Sequence, residues 1–350
     1  MLLRLCLAVC LVSLCLYQTP LQAELKKIQL ITMGGAITGT QKDALSGKFK
    51  LSSRSAETLV AGNIEILELA DIKFKELYNI PSQEIQQKHW IKLAKEVDKA
   101  VNDITIDAVI ITHGTDTLEE TAYFLNLTVK TKKPIILTGA IRAALHPSSD
   151  STQNLIDAIR VATHNDSINK GVLVVANGKI ISARHIQKNH NHSLDALESS
   201  ELGILGYVHN EIIDFHQASI KKHTYYSDFD IKTISELPNV DIAYAYSGGL
   251  SNIKKTAIKG LVVAGVGSGN IPMTTLKELK KLQKNNIQIV RSSRNVGAPV
   301  YSSKGSEIND AYLNFVSANN LSPQKARVLL MVALHKTSDP NKIRSYFKTH

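Results

Sequence analysis

Two hydrophobic rhythms take turns along this chain. Short runs rich in apolar and β-branched residues (IQLITM, IEILEL, DAVIITHG, PIILTGA and GVLVVAN) each span a strand's length, and several end in Gly, Thr, Asn or Ser. Between them, QKHWIKLAKEVDKAVND and LEETAYFLNLTVK carry apolar residues at three- and four-residue spacing, the period of an amphipathic helix. Strands alternating with helices predict an α/β fold with a parallel, doubly wound sheet. Such sheets bind ligands at the carboxyl ends of their strands. Asn177-Gly178, between VLVVA and KIISA, predicts a hairpin. From His216 to Pro238 the pattern loosens into a polar stretch that reads as a linker. A second alternating set follows in DIAYAYSG, GLVVAGVGSGN, IQIVRSS and a closing helix, KARVLLMVALH. The expected layout is a larger N-terminal α/β domain over 24–215, a linker over 216–238 and a smaller C-terminal α/β domain over 239–350.

Composition changes this picture mainly at the N-terminus. With 350 residues, 43% of them hydrophobic, and charges of both signs, the chain is long enough for two separate cores and is neither disordered nor fibrous. Residues 1–23 carry one early charge at Arg4, an apolar run from Leu5 to Leu16 and a small residue at Ala23. That is the pattern of a secretory signal peptide, too short for a membrane span. Cys6, Cys10 and Cys15 all lie inside it, so the mature protein is expected to be free of cysteine and to need no disulfide in an oxidising compartment. The formal net charge is +10, but the basic residues are spread along the chain without an arginine-rich arm. Nucleic-acid binding wants a clustered basic face, so neither nucleic acid nor membrane is expected as a partner.

Polar groups gather at two strand ends. After the first strand, LITMGGAITGT brings Gly34-Gly35 to a turn where the backbone can approach a ligand closely, and Ala36 follows. The segment THGTDTLEETAYFL sets Thr112, His113, Thr115, Asp116 and Thr117 just before a helix; Thr117 suits a helix cap, and Thr115 with Asp116 suits a pocket mouth. His185, His190 and His192 in SARHIQKNHNHS lack carboxylate or Cys partners at rigid spacing, so no metal is expected there. Trp90 falls on the apolar face of its helix and reads as core.

IITHGTDTLEETAYFL resembles the second signature of the bacterial type II (periplasmic) L-asparaginases, and LITMGGAITG resembles their first, in which a Thr follows the two glycines. The likeness continues through KPIILTGAIR, NKGVLVVANGKI, LGYVHN, AGVGSGNI, VRSSR and SPQKARVLLMVAL. The resemblance implies a periplasmic two-domain α/β homotetramer with active sites between subunits. It also implies hydrolysis of the side-chain amide of L-asparagine, and more slowly of L-glutamine, to the acid (L-aspartate from asparagine) plus ammonia, with no cofactor. Ser82, Gln83, Thr115 and Asp116 match the ligand-holding positions, and Asn270 and Glu307 match those supplied by a neighbouring subunit. The attacking Thr falls on Ala36, the lid Tyr on Phe49 and, counting back from NKGV, the Lys on Asn165. On that matching the chain is an amino-acid-binding relative with crippled hydrolysis. The alternative is an active amidohydrolase working through Thr115 or Thr38, with Lys170 the nearest replacement amine in sequence.

Overall fold

The computed structural model describes residues 24–41, 49–50, 56–199, 202, 204–251, 257–295, 299–301 and 308–350; the leader read above, residues 1–23, lies outside them. The larger sheet has eight strands. At its centre and one edge, β1 (Lys27–Thr32), β4 (Asp71–Glu76), β5 (Ala108–Thr112), β6 (Ile135–Thr138) and β7 (Val172–Ala176) run parallel in the order β4-β1-β5-β6-β7. A two-strand ribbon, β2 (Thr40–Gln41) with β3 (Phe49–Lys50), stands outside the sheet. Beyond β7 the sheet turns antiparallel through β8 (Lys179–Ser182), β11 (Gly206–His209) and β12 (Ile212–Phe215). A second ribbon, β9 (Ile186–Lys188) with β10 (Leu197–Ser199), leaves the sheet between β8 and β11. The expected parallel sheet is therefore five strands of a mixed one. The Asn177-Gly178 hairpin sits at the switch, where both residues take the positive φ that a tight two-residue turn requires.

Strands β5, β6 and β7 are buried at every position, as strands covered by helices on both faces must be. One face meets the helices Gln87–Asn102 and Leu118–Thr128, and the other meets Ile64–Leu69 and Ser151–Thr163. IEILEL, expected as a strand, is the helix Ile64–Leu69. Its apolar content misleads because only Ile66 of the six is buried and the Glu and Leu residues favour helix; the strand is the next segment, the lysine-rich edge strand β4.

The smaller sheet orders β14 (Gly249–Leu250), β13 (Val240–Tyr246), β15 (Gly260–Gly265), β16 (Gln288–Ser293) and β17 (Val316–Ser317), parallel from β13 to β17. The helix Met273–Lys284 covers one face. The helix Pro323–Lys336 covers the other and packs equally on the Leu118–Thr128 helix of the larger domain. Buried on nearly all sides, it joins both domains in one apolar core. The stretch 216–238 belongs to that core, because Phe229, Ile231, Ile234 and Leu237 are buried in it. Nor does the Pro323–Lys336 helix close the chain: Pro340–Thr349 follows, with Asp339 as its cap and Pro340 in its first turn.

Candidate active site

The carboxyl ends of β1, β5 and β6 converge on one spot. The chain leaving β4 is laid along the end of β1, with Leu77 and Tyr78 N–H donating to Thr32 O at 3.1 Å and Ile80 N–H to Met33 O at 3.2 Å. Gly34 and Gly35 follow at φ 101° and 97°. A Cβ on Gly35 would lie 2.6 Å from the Cα and N of Gly114, so the two signature loops touch backbone to backbone. Gly114 in turn lies under Ser82, whose Oγ would stand 2.8 Å from an added Cβ, and the Thr117 hydroxyl donates to Ser82 O at 2.7 Å. Thr117, expected to cap its helix through its side chain, instead uses its hydroxyl to pin the Ser82 loop; its backbone O accepts from Glu120 and Thr121.

Beneath this surface a polar chain fixes the loop. Trp90 Nε1 donates to Thr121 Oγ1 at 2.9 Å, which leaves that hydroxyl to donate to His113 Nε2 at 2.9 Å. His113 Nδ1–H then donates to Gly114 O at 2.6 Å. Complete burial pushes the imidazole's pKa down to about 4, which keeps it neutral and lets Nε2 accept while Nδ1–H donates. Trp90 is core, as expected, stacked on Phe124 at 5.7 Å.

On top sit Thr115, buried, and Asp116, exposed. The cation beside them is Lys188, at the end of β9. Its Nζ donates to Thr115 Oγ1 at 2.9 Å and to Asp116 Oδ1 at 2.5 Å. Glu119 Oε2 accepts the Lys188 backbone N–H at 3.1 Å and so holds β9 over the site. This corrects the expectation for Asn165. That residue lies between the Ser151–Thr163 helix and β7, at the amino end of the strands, where its Oδ1 accepts from Lys26 Nζ at 2.6 Å. Lys170 is at the same far end, over the Phe215 ring. Counting back from NKGV leads into the loop before β7, whereas the amine beside Thr115 arrives from the polar ribbon after β8, where no local pattern marks one Lys among Asn and His.

Ala36 opens the 3-10 turn Ala36–Thr38 and is half-buried, with a methyl where the resembled signature has a Thr hydroxyl. Phe49 and Thr38 lie on the described backbone, but their side chains, like all of Glu307, fall outside the described residues. Gln83 is exposed beside Ser82. Asn270 is exposed in the turn after β15, closed by paired bonds with Val266, and no hydrogen bond among the described residues ties it to the Thr115 cluster. His185 is held by Ser182 and Arg184, and the His190 and His192 rings stand 6.4 Å apart; among the described residues no group of three His, Cys, Asp or Glu is placed to hold a metal.

A two-domain α/β chain with a Thr-Asp-Lys cluster at its strand ends can now be set beside known proteins. The asparaginase N-terminal family model matches residues 27–221, and the glutaminase/asparaginase C-terminal domain model matches 239–347. The chain belongs to the asparaginase family. It is 38% identical to the probable periplasmic L-asparaginase of Haemophilus influenzae over 331 residues, covering 93% of each chain. It is 36% identical to L-asparaginase 2 of Escherichia coli, covering 93% of this chain and 94% of that one. Among solved structures, the probable cytoplasmic L-asparaginase of Campylobacter jejuni superposes with a TM-score of 0.87 at 40% identity, over 93% of this chain and all of the other.

Proposed function

We propose that this chain binds an L-asparagine-class amino acid over Ser82, Gln83, Thr115 and Asp116, and that hydrolysis of the side-chain amide is strongly impaired. Residue 36 carries the reading: a methyl follows Gly34-Gly35, where the family's first signature has a Thr. Loss of the nucleophile from a hydrolytic set lowers the rate by about a million-fold. What survives is suited to holding, since exposed Asp116 offers an anion to a ligand's ammonium and Lys188 offers a cation to its carboxyl groups. Following the same resemblance, the leader directs export to the periplasm, and a homotetramer brings Asn270 and Glu307 of a neighbouring subunit to the pocket. The periplasmic name of the Haemophilus relative supports export, and the structural neighbour's name points to the cytoplasm instead.

The contact between Lys188 and Thr115 favours a second reading, slow hydrolysis through Thr115. A Lys amine next to a hydroxyl is a known base–nucleophile pair. Here it donates to Thr115 and Asp116 alike, so the Thr115 hydroxyl is held as an acceptor rather than placed to give its proton to the amine. A ligand ammonium drawn to Asp116 would compete for that carboxylate and loosen Lys188. Ammonia release from L-asparagine and L-glutamine, measured beside the melting temperature with L-aspartate, separates the readings. We expect millimolar aspartate to raise the melting temperature, while ammonia stays at background. A missing shift would remove the binding function, and turnover abolished by Thr115→Ala would make the second reading the right one.

A further inference from the structure

We propose that the amino-terminal edge of the larger sheet, opposite the Thr115 cluster, is a docking surface for an anionic lipid bilayer. Strands β1, β5, β6 and β7 are parallel neighbours, so the loops that lead into them open on one edge. Neighbouring strands lie about 4.8 Å apart, which places the four lead-ins in a band roughly 15 Å wide. Lysines that are scattered along the sequence, and gave no expectation of a membrane partner, meet in this band. Lys26 precedes β1, Lys130, Lys132 and Lys133 precede β6, and Lys170 precedes β7.

The stretch after β12 folds under the same edge. Lys170 Nζ lies 5.1 Å from the centre of the Phe215 ring, and a Cβ on Gly171 would lie 3.1 Å from the His223 ring. Lys132 Nζ lies 4.7 Å from the centre of the Tyr225 ring, and Lys130 Nζ donates to Tyr225 O and Ser227 O. Apolar tips stand among these amines. Ile104, in the loop into β5, is 93% exposed, and Lys133 Nζ donates to Asp103 O at 2.7 Å beside it. Ile220, on the chain between Phe215 and His223, is 96% exposed, while Ile168, Tyr225 and Tyr226 are each about half exposed.

Charge and composition together choose the occupant. Among the described residues none of the five lysines forms an ion pair, whereas Glu24 is taken by Lys27 and Asp228 by Lys222. Asp103 and Asp107 accept backbone N–H groups, which leaves Asp71 and Asp166 as the carboxylates turned to solvent. A protein partner is a poor match, because the buried centre of a protein interface is depleted in lysine. A bilayer surface takes both kinds of side chain: Ile and Tyr enter the headgroup layer, and lysine stems carry their ammonium groups to lipid phosphates. Docked in this way, the protein keeps the carboxyl ends of its strands, and the Thr115 cluster, facing away from the membrane.

The test is co-sedimentation of the purified mature protein with phosphatidylcholine vesicles containing about one-third phosphatidylglycerol, and with vesicles of phosphatidylcholine alone, at physiological ionic strength. Each lysine near an anionic surface is worth roughly fivefold in affinity, so binding to the anionic vesicles should be at least about tenfold tighter than to the neutral ones and should fall at least about tenfold in Lys132→Gln/Lys133→Gln. Ile104→Ser/Ile220→Ser, which alters only exposed tips, should weaken binding several-fold. Lys277→Gln/Lys280→Gln, on the exposed face of the Met273–Lys284 helix in the other domain, removes the same charge elsewhere and should bind like the parent. Saturating L-aspartate should change nothing. The proposal is overturned if the anionic vesicles bind no protein, or if the Lys277/Lys280 variant loses as much affinity as the Lys132/Lys133 variant. Displacement by millimolar inorganic phosphate at constant ionic strength would overturn it in favour of a free-phosphate site. A smaller assembly of Ile104→Ser/Ile220→Ser in sedimentation equilibrium would overturn it in favour of a contact between copies of this chain.

Discussion

Lys188 Nζ lies within 3 Å of both the Thr115 hydroxyl and Asp116, while Asn165 pairs with Lys26 at the opposite end of the strands. Two substitutions should therefore behave in opposite ways. Asn165→Lys is expected to leave ammonia release from L-asparagine where it stands, because no side chain spans the length of the sheet. Ala36→Thr restores a hydroxyl to a loop that touches Gly114, next to a site that already holds its amine. Release should rise about a hundredfold or more, the scale of catalysis that proton-handling groups supply, with Phe49→Tyr adding more than its own separate effect. Equal inactivity of Ala36→Thr and the parent, with aspartate binding retained, would show that residue 36 does not limit the reaction. Position 35 is structural rather than chemical. Gly35→Ala forces a side chain into φ 97° and onto the Gly114 backbone, so it should lower stability by roughly 2 kcal/mol or more, seen as a lower urea midpoint.

Among the elements, the buried pair of Arg291 on β16 and Asp310 ties the second sheet to the turn beside it. Arg291 Nε and Nη2 reach the two carboxylate oxygens at 2.8 and 2.6 Å, and Nη1 donates to Ser268 O at 2.8 Å, inside the turn that carries Asn270. Truncating one partner leaves the other charge buried and alone. Arg291→Met should cost roughly 3–5 kcal/mol of stability and, by freeing the Asn270 turn, weaken aspartate binding; a urea titration with and without ligand reads both. Elements of this kind were legible in the sequence wherever burial and period agree, as for the helices at Trp90 and Tyr123, the strands β5 to β7 and the Asn177-Gly178 hairpin. IEILEL was not, because an exposed helix with one buried Ile has no clear period. Lys188 was not legible either, since its role depends on a ribbon folding back across the sheet, a long-range pairing that local spacing does not encode.

In the molecule as a whole, one core runs through both domains, and several imidazoles in or against it, His113, His185, His223 and His350 among them, have their pKa values lowered by burial. Burial pushes His113 down to about 4, His185 to about 3 and His350 to about 4. Each ordinary value is about 6.5, so between pH 6.5 and 4 the unfolded chain takes up protons that the folded chain refuses. The stability these groups hold is complete above pH 6.5 and drains away as the pH falls through that window. For fully buried His113 the loss is on the order of 3 kcal/mol. Urea midpoints should drop steeply between pH 7 and pH 4.5, less so in His113→Gln; a flat profile would mean these rings titrate normally. The two-domain architecture was readable from the chain's alternating rhythm. The sharing of its core was not, because the 216–238 stretch hides four buried apolar residues among polar ones.

The central claim is a pocket that holds its ligand and lacks the group that attacks it. It is tested most directly by ammonia release from L-asparagine by the purified mature protein at an enzyme concentration where a million-fold slower hydrolase would still be detected, with L-aspartate binding measured on the same sample. The account predicts clear aspartate binding with release at or near background, rising when Ala36→Thr is introduced. Rapid release by the unmodified protein, lost on Thr115→Ala or Lys188→Met, would contradict it and make Thr115 the working nucleophile.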